Sequence, residues 1–370
     1  MGIYEELGIR TVINGNATLT RLGGSLMPKE VLDAMLEAAR GFVDIVELQE
    51  KVGQEIARLT HNEAAYVSCG AAAGLVLSTA ACITGLDSEK RERLPHLEGM
   101  KNEVIVHKYG RVGYDYAIRQ VGVKLVEIGR PEGTTAEEME AAITDRTAAI
   151  FQFPNAHRDP IQLPIEEGAR IAQKYNVPFI VDAAAQVPPV RNLWHYTTEL
   201  GADLAIFSGG KGLRGPQSSG LVLGRQDLIE ACAFNGPPSP FIGRGMKVGK
   251  EEMVGLLAAV KWYLSFDEEE LINTYERQVQ FLIDEFSSIP HVTAKRNFPS
   301  EAGQPMPRAE IIFDEERLRI SRDEILRQLK EGEPSIDIAS AGANGVFINP
   351  QTLNEGEERI IAERLKEVIG

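Results

Sequence analysis

Cysteine is scarce: Cys69, Cys82 and Cys232 are the only three in 370 residues, and they form no paired or metal-ligand spacing. A disulfide framework and a cysteine-built metal site are thereby excluded, and a reducing, cytoplasmic setting is expected. Positive charge is also short, with 39 Lys and Arg against 54 Asp and Glu, a net charge of −15. Nucleic-acid binding needs a dense basic face, so this balance disfavours it. No long apolar run occurs. The longest, around Ala71 to Ile83, is too short and too rich in small residues to span a bilayer. The start, Met1-Gly2-Ile3-Tyr4-Glu5-Glu6, has no basic region followed by an apolar one, so no signal peptide is expected. Glu6 stands where N-myristoylation would need Ser or Thr. Repeats and low-complexity tracts are absent as well.

What is present is an alternation of strand and helix patterns. Strands are predicted over 64–67, 103–106, 123–127, 148–153, 178–182, 204–208 and 220–223. Helical patterns fall between them, at 71–84, 114–121, 136–143 and 165–175. This order predicts an α/β fold, a mostly parallel seven-stranded sheet covered by helices on both faces. Helices are predicted at 28–40 and 44–60 after an irregular N-terminal stretch, with Pro28 suited to a first helical turn. Beyond 246 the grain changes. Helices at 250–264 and 268–287 lead into strands at 292–295, 309–313 and 345–348 and helices at 322–329 and 356–369, an α+β pattern. The expected divisions are an N-terminal arm with helices over 1–50, a large domain over 51–245 and a small one over 246–370.

Two of the strands carry chemistry at their carboxyl ends. Pro178-Phe179-Ile180-Val181 ends in Asp182, and Ala205-Ile206-Phe207 runs into Ser208-Gly209-Gly210-Lys211. A lone lysine is usually a solvated charge and a lone strand-end aspartate a cap or turn former. Together, among small residues, they are what pyridoxal 5'-phosphate chemistry needs. The lysine amine forms a Schiff base with the cofactor aldehyde, and the aspartate keeps the ring nitrogen protonated so that the ring withdraws electrons. Ser208 can donate to the cofactor phosphate.

Val67-Ser68-Cys69-Gly70-Ala71-Ala72-Ala73-Gly74 follows a strand and opens a helix. Backbone N–H groups at such a helix start bind anions, so Ser68, Cys69, Gly70 and Ala71 are expected to hold the phosphate. A tight turn with small residues for packing would read the same way. After Asp182, Ala184 lets the ring lie close to the backbone, and Gln186 either reaches the ring hydroxyl or is a plain loop residue. In the loop from His107 to Tyr114, His107 is the first candidate to stack on the ring and Tyr109 the second; a surface-loop histidine is the alternative. Asn155 and His157, just past the 148–153 strand, can face cofactor or substrate. Thr20 and Arg21 lie in a nearly charge-free stretch, 12–24, that either lines the site or forms a structural arm. Arg244, in a Gly-rich basic loop before a helix, either serves an anion, across a dimer interface included, or is solvated.

Val12-Ile13-Asn14, Ser208-Gly209-Gly210-Lys211 and Gly215-Pro216-Gln217 resemble the bacterial L-seryl-tRNA(Sec) selenium transferase group of fold-type I pyridoxal phosphate enzymes. The resemblance runs over most of the chain and is greatest to the branch of D-glucosaminate-6-phosphate ammonia-lyase and related proteins. It implies an aspartate-aminotransferase-like fold, a homodimer or higher homo-oligomer, and covalent cofactor attachment at Lys211. The stretch 334–344 lacks the arginine that many relatives use for a substrate carboxylate, so Arg21, Arg158, Arg214 or Arg244 would have to serve. The activity expected is an α,β-elimination on a small anionic substrate, an amino-sugar acid, with Lys211 and Asp182 as the catalytic pair and Thr20, Arg21, His157 and Arg244 at the substrate. A racemase or aldolase, or a selenium transferase acting on tRNA, is the alternative. None of the three cysteines suits a desulfurase, since one lies in the phosphate turn and two in helical patterns. No appended DNA-binding segment suggests a regulator.

Overall fold

The computed structural model describes residues 2–370. Its strands, in chain order, are β1 (Val12–Gly15), β2 (Ala64–Ser68), β3 (Glu103–His107), β4 (Lys124–Ile128), β5 (Thr147–Gln152), β6 (Phe179–Asp182), β7 (Leu204–Ser208), β8 (Gly220–Gly224), β9 (Val292–Asn297), β10 (Arg308–Phe313), β11 (Ser335–Ala341) and β12 (Gly345–Ile348). Contacts divide the chain into two compact units, one of residues 27–265 and one of residues 1–26 with 266–370.

The larger unit is built on a seven-stranded sheet in the order β2-β8-β7-β6-β5-β3-β4. Only β8 runs against the others. The expected α/β, fold-type I architecture is therefore present. Because helices cover both faces, successive strand residues are apolar in both directions. Ile105, Val181 and Phe207 enter one core, whereas Val104, Val106, Ile180 and Ile206 enter the other. Full burial of a side chain such as Phe207 contributes about 2–3 kcal/mol.

Local signals fix the helix ends. The side chain of Asp44 accepts from the N–H groups of Val46 and Glu47 at 2.9 and 3.0 Å and starts the Ile45–Leu59 helix. That helix shields the free edge of β2. Gln49 Nε2 donates to the Val67 carbonyl at 2.7 Å, and Gly53 brings the helix so near that a Cβ would stand 2.3 Å from the Ala65 oxygen.

The smaller unit holds a five-stranded sheet, β1-β11-β12-β10-β9, parallel only between β1 and β11. The helices Glu268–Ser287, Arg322–Glu331 and Glu357–Ile369 cover it with Val279, Phe286, Leu329 and Leu365. Two of its strands depart from expectation. The stretch expected to be irregular contains β1, and the 334–344 segment forms β11. β1 is only four residues long, and its partner carries Asp337 in its middle, a residue type disfavoured in strands. Among the described residues no helix is long and apolar enough to cross a membrane.

Candidate active site

The carboxyl edge of the large sheet gathers the predicted residues. Ser68 at the end of β2 and Ser208 at the end of β7 both pair opposite Gly220, the first residue of the antiparallel β8. Asp182 ends β6 opposite Ile206. Ligands in such sheets bind beyond the carboxyl ends of the strands, where these residues lie.

The turn after β2 is shaped for an anion. Gly70 has φ +94 and precedes the Ala71–Thr84 helix, which has no side-chain cap. Ser68 Oγ donates to the Gly70 carbonyl at 2.9 Å and braces the turn. A Cβ on Gly220 would stand 2.3 Å from the Gly70 carbonyl carbon and 2.7 Å from the Ala71 nitrogen, so only glycine lets the turn cross β8. The first N–H groups of a 14-residue helix, with its dipole, thus lie close to the start of β8 without a side-chain cap.

The loop after β7 is braced by its own backbone. The N–H of Gly209 donates to the Ser219 carbonyl at 2.9 Å, that of Gly215 to the Gly209 carbonyl at 2.8 Å, and that of Arg214 to the Lys211 carbonyl at 3.0 Å. Gly210 sits against the backbone of Gln217, where a Cβ would come within 2.4 Å of its Cα. Arg214 adopts the left-handed φ of +53 that closes this turn. Lys211 therefore projects from a rigid loop. Its charge reaches Asp182, where burial raises the carboxyl pKa while the Ala184 N–H, 3.1 Å from Oδ1, and Lys211 oppose the rise. The N–H of Ser208 donates to the Ala184 carbonyl at 3.3 Å, tying the two strand ends together.

The remaining candidates are placed as follows. Gln186 Nε2 donates to the Pro154 carbonyl at 3.2 Å, linking the Asp182 loop to the segment that follows β5. Asn155 shapes that segment: its Oδ1 accepts from the His157 N–H at 3.0 Å, and its own N–H donates to Asp159 at 2.8 Å. His157 is exposed. His107 is buried, at 2% exposure, and its Nε2 accepts from the Leu163 N–H at 3.3 Å; burial lowers its pKa to about 4. It offers no open face for stacking. Tyr109 is 38% exposed, with Lys108 Nζ 5.8 Å from its ring centroid.

The ring that comes to Lys211 is that of Tyr114, whose centroid lies 6.0 Å from Lys211 Nζ. In the sequence Tyr114 is one of three tyrosines in residues 109–116, and nothing in composition separates it from the others. The one legible signal is the spacing Arg111, Asp115, Arg119, an i, i+4 pattern that marks an anchored turn.

Arg244 lies elsewhere in the large unit. It lines a cavity of about 680 Å³ bounded by Ala64, Ala65 and Tyr66, and neither Asp182 nor Lys211 lines it. Thr20 and Arg21 belong to the smaller unit, where Thr20 opens a short 3-10 turn and Arg21 is bound by Asp337. Among the described residues no group of three His, Cys, Asp or Glu side chains could hold a metal ion.

The uncapped helix start, packed closely on β8 at Gly220, and the Asp182–Lys211 pair fit pyridoxal phosphate, with backbone N–H groups for its phosphate and a carboxylate and an amine for its ring nitrogen and aldehyde.

Comparison with known proteins agrees. The chain is 34% identical to the D-glucosaminate-6-phosphate ammonia lyase of Salmonella typhimurium, over 99% of this chain and 97% of that protein. It is 32% identical to a 5'-C-glycyluridine monooxygenase-decarboxylase of a Streptomyces species, over 99% and 92%. A solved structure of D-glucosaminate-6-phosphate ammonia-lyase superposes with a TM-score of 0.88 at 32% identity, covering 100% of this chain and 98% of that one. The family described as L-seryl-tRNA selenium transferase matches residues 11–289. The protein is an enzyme, its cofactor is pyridoxal 5'-phosphate, and the chain belongs to the L-seryl-tRNA selenium transferase family.

Proposed function

We propose that the protein is an ammonia-lyase that converts an amino-sugar acid such as D-glucosaminate 6-phosphate into a 2-keto-3-deoxy acid. The observation that carries this reading is the Asp182–Lys211 pair at the sheet edge that also holds the uncapped helix start at Ala71, in a chain that matches such a lyase over 99% of its length. In the proposed arrangement the helix start at Ser68, Cys69, Gly70 and Ala71, with Ser208, holds the cofactor phosphate. Asp182 would hold the ring nitrogen, and Ala184, Gln186 and Asn155 would lie beside the ring. The bound cofactor supplies an electron sink for the substrate's α-carbon.

Lys211 Nζ would take the α-proton, and Asp182 would keep a proton on the ring nitrogen through a charge-assisted hydrogen bond. The β-hydroxyl leaves as water. The released enamine takes up one water, giving the keto acid and ammonia, so the net change is loss of ammonia alone. The substrate in this reading is a small anion, with Thr20, Arg21 and His157 as candidate contacts and Arg244 a candidate across a dimer interface, and the active form is a homodimer or higher homo-oligomer in the cytoplasm.

The near-equal match to the monooxygenase-decarboxylase favours a second reading, in which the same scaffold directs O₂ to an amino acid carbanion. Incubation of the holoenzyme with D-glucosaminate 6-phosphate decides between them. Equimolar ammonia and keto acid without O₂ uptake support the lyase. Release of CO₂ coupled to O₂ uptake from a glycyl nucleoside, with no ammonia from the sugar acid, refutes it.

A further inference from the structure

Lys211 faces an aromatic ring that is both open and rigidly held. Tyr114 is 69% exposed, so its face is open to a ligand, and its centroid is 6.0 Å from Lys211 Nζ. It stands at the centre of the Gly113–Asp115 turn. The next residue, Asp115, is buried at 2% exposure, and its carboxylate is gripped from both sides, by Arg111 Nε at 2.7 Å and Arg119 Nε at 3.3 Å. Arg111 also pairs with Glu127 of β4, and its carbonyl accepts from Arg158 Nη1 at 3.2 Å. A buried carboxylate between two guanidinium groups fixes the turn, because leaving either charge unpaired is costly. The ring is thus presented towards the amine by a turn that cannot easily move.

We infer that Tyr114 is the residue that covers the planar cofactor ring held at Lys211, in the place where a buried His107 cannot serve. This rests on the reading that Lys211 carries the cofactor. An offset aromatic contact tolerates Phe, because the attraction comes from the ring face and not from the hydroxyl. It does not tolerate Leu, which is apolar but has no π-system, or Ala.

The test compares wild-type, Y114F, Y114L and Y114A holoenzymes by the induced circular dichroism of the cofactor band, by its loss on dialysis, and by the site of the borohydride-reduced adduct. The adduct should remain on Lys211 in all four. Y114F should keep the wild-type dichroism and retention. Y114L and Y114A should lose most of the induced signal and bind the cofactor about three- to tenfold more weakly. Wild-type dichroism and retention in both Y114L and Y114A, with the adduct on Lys211, would overturn this inference alone. An adduct on another residue would overturn both it and the reading beneath it. The Phe and Leu variants, which keep a large apolar side chain at an exposed position, answer the question even if Y114A folds poorly.

Discussion

Arg21 grips Asp337 at two points: Nη1 lies 2.7 Å from Oδ2 and Nη2 lies 2.8 Å from Oδ1. Asn16 Nδ2 adds a third contact to Oδ1 at 2.8 Å. Asp337 is opposite Asn14 in the parallel pairing of β1 with β11, so the ion pair closes the N-terminal segment over its own sheet.

Arg21→Ala should therefore destabilise the fold by about 1–2 kcal/mol. That is less than for a fully buried pair, because the arginine is 53% exposed and water screens it. Arg21→Lys should recover only part, since an ammonium cannot bridge both oxygens in a plane. For Asp337, burial raises the carboxyl pKa, but the contacts with Arg21 and Asn16 outweigh it and the net shift is downward from 3.8. A depressed carboxylate contributes stability that is present above its unfolded pKa and lost as pH falls through the folded one. Thermal melts from pH 5 down to pH 2 should show this loss in the wild type and a smaller one in Arg21→Ala.

Gly220→Ala should push the turn after β2 away from β8, because the added Cβ would lie 2.3 Å from backbone at Gly70. Overpacking of this kind costs about 1–3 kcal/mol. The displaced helix start should weaken pyridoxal phosphate binding by tenfold or more, about 1.4 kcal/mol. Cofactor titration followed by absorbance checks it; unchanged affinity would mean that the turn does not hold the phosphate.

His107 makes stability depend on pH in a separate window. Burial depresses its pKa from 6.5 to about 4, so the unfolded chain binds the extra proton first. Its contribution is complete above pH 6.5 and declines as pH falls towards 4, by about 3 kcal/mol in all. The depressed carboxylates act lower, below about pH 4.5. His107→Gln should flatten the melting temperature between pH 4.5 and 6.5, and an unchanged slope there would count against the buried neutral imidazole.

The large unit was legible because its strands are apolar on both faces and end in small or polar residues. Predicted 204–208 is β7, and predicted 178–182 contains β6. The chain order of helix-start turn, Asp182 and Lys211 showed the cofactor before any geometry was known. The smaller unit was harder to read. β1 is a short edge strand stabilised by β11, and β11 tolerates Asp337 only because Arg21, 316 positions away in the chain, neutralises it. Such pairing has no local signature. The exposure of Tyr114 and the burial of His107 were hidden for a related reason. His107 ends β3 and Tyr114 lies in the loop after it, and which of them turns inward depends on Leu163 and on the Arg111–Asp115–Arg119 clamp.

Asp182→Asn should preserve the fold and the cofactor band while lowering turnover about a hundredfold or more, the effect of losing about 3 kcal/mol in the transition state. Steady-state ammonia release measures it, and near-normal turnover would make Asp182 merely structural.

In the proposed arrangement Lys211 carries the cofactor. Borohydride reduction of the holoenzyme, followed by peptide mapping, tests it most directly. The account predicts loss of the visible band and a single pyridoxyl adduct on Lys211, absent in Lys211→Ala. An adduct on any other lysine, or a visible band that survives reduction, would contradict it.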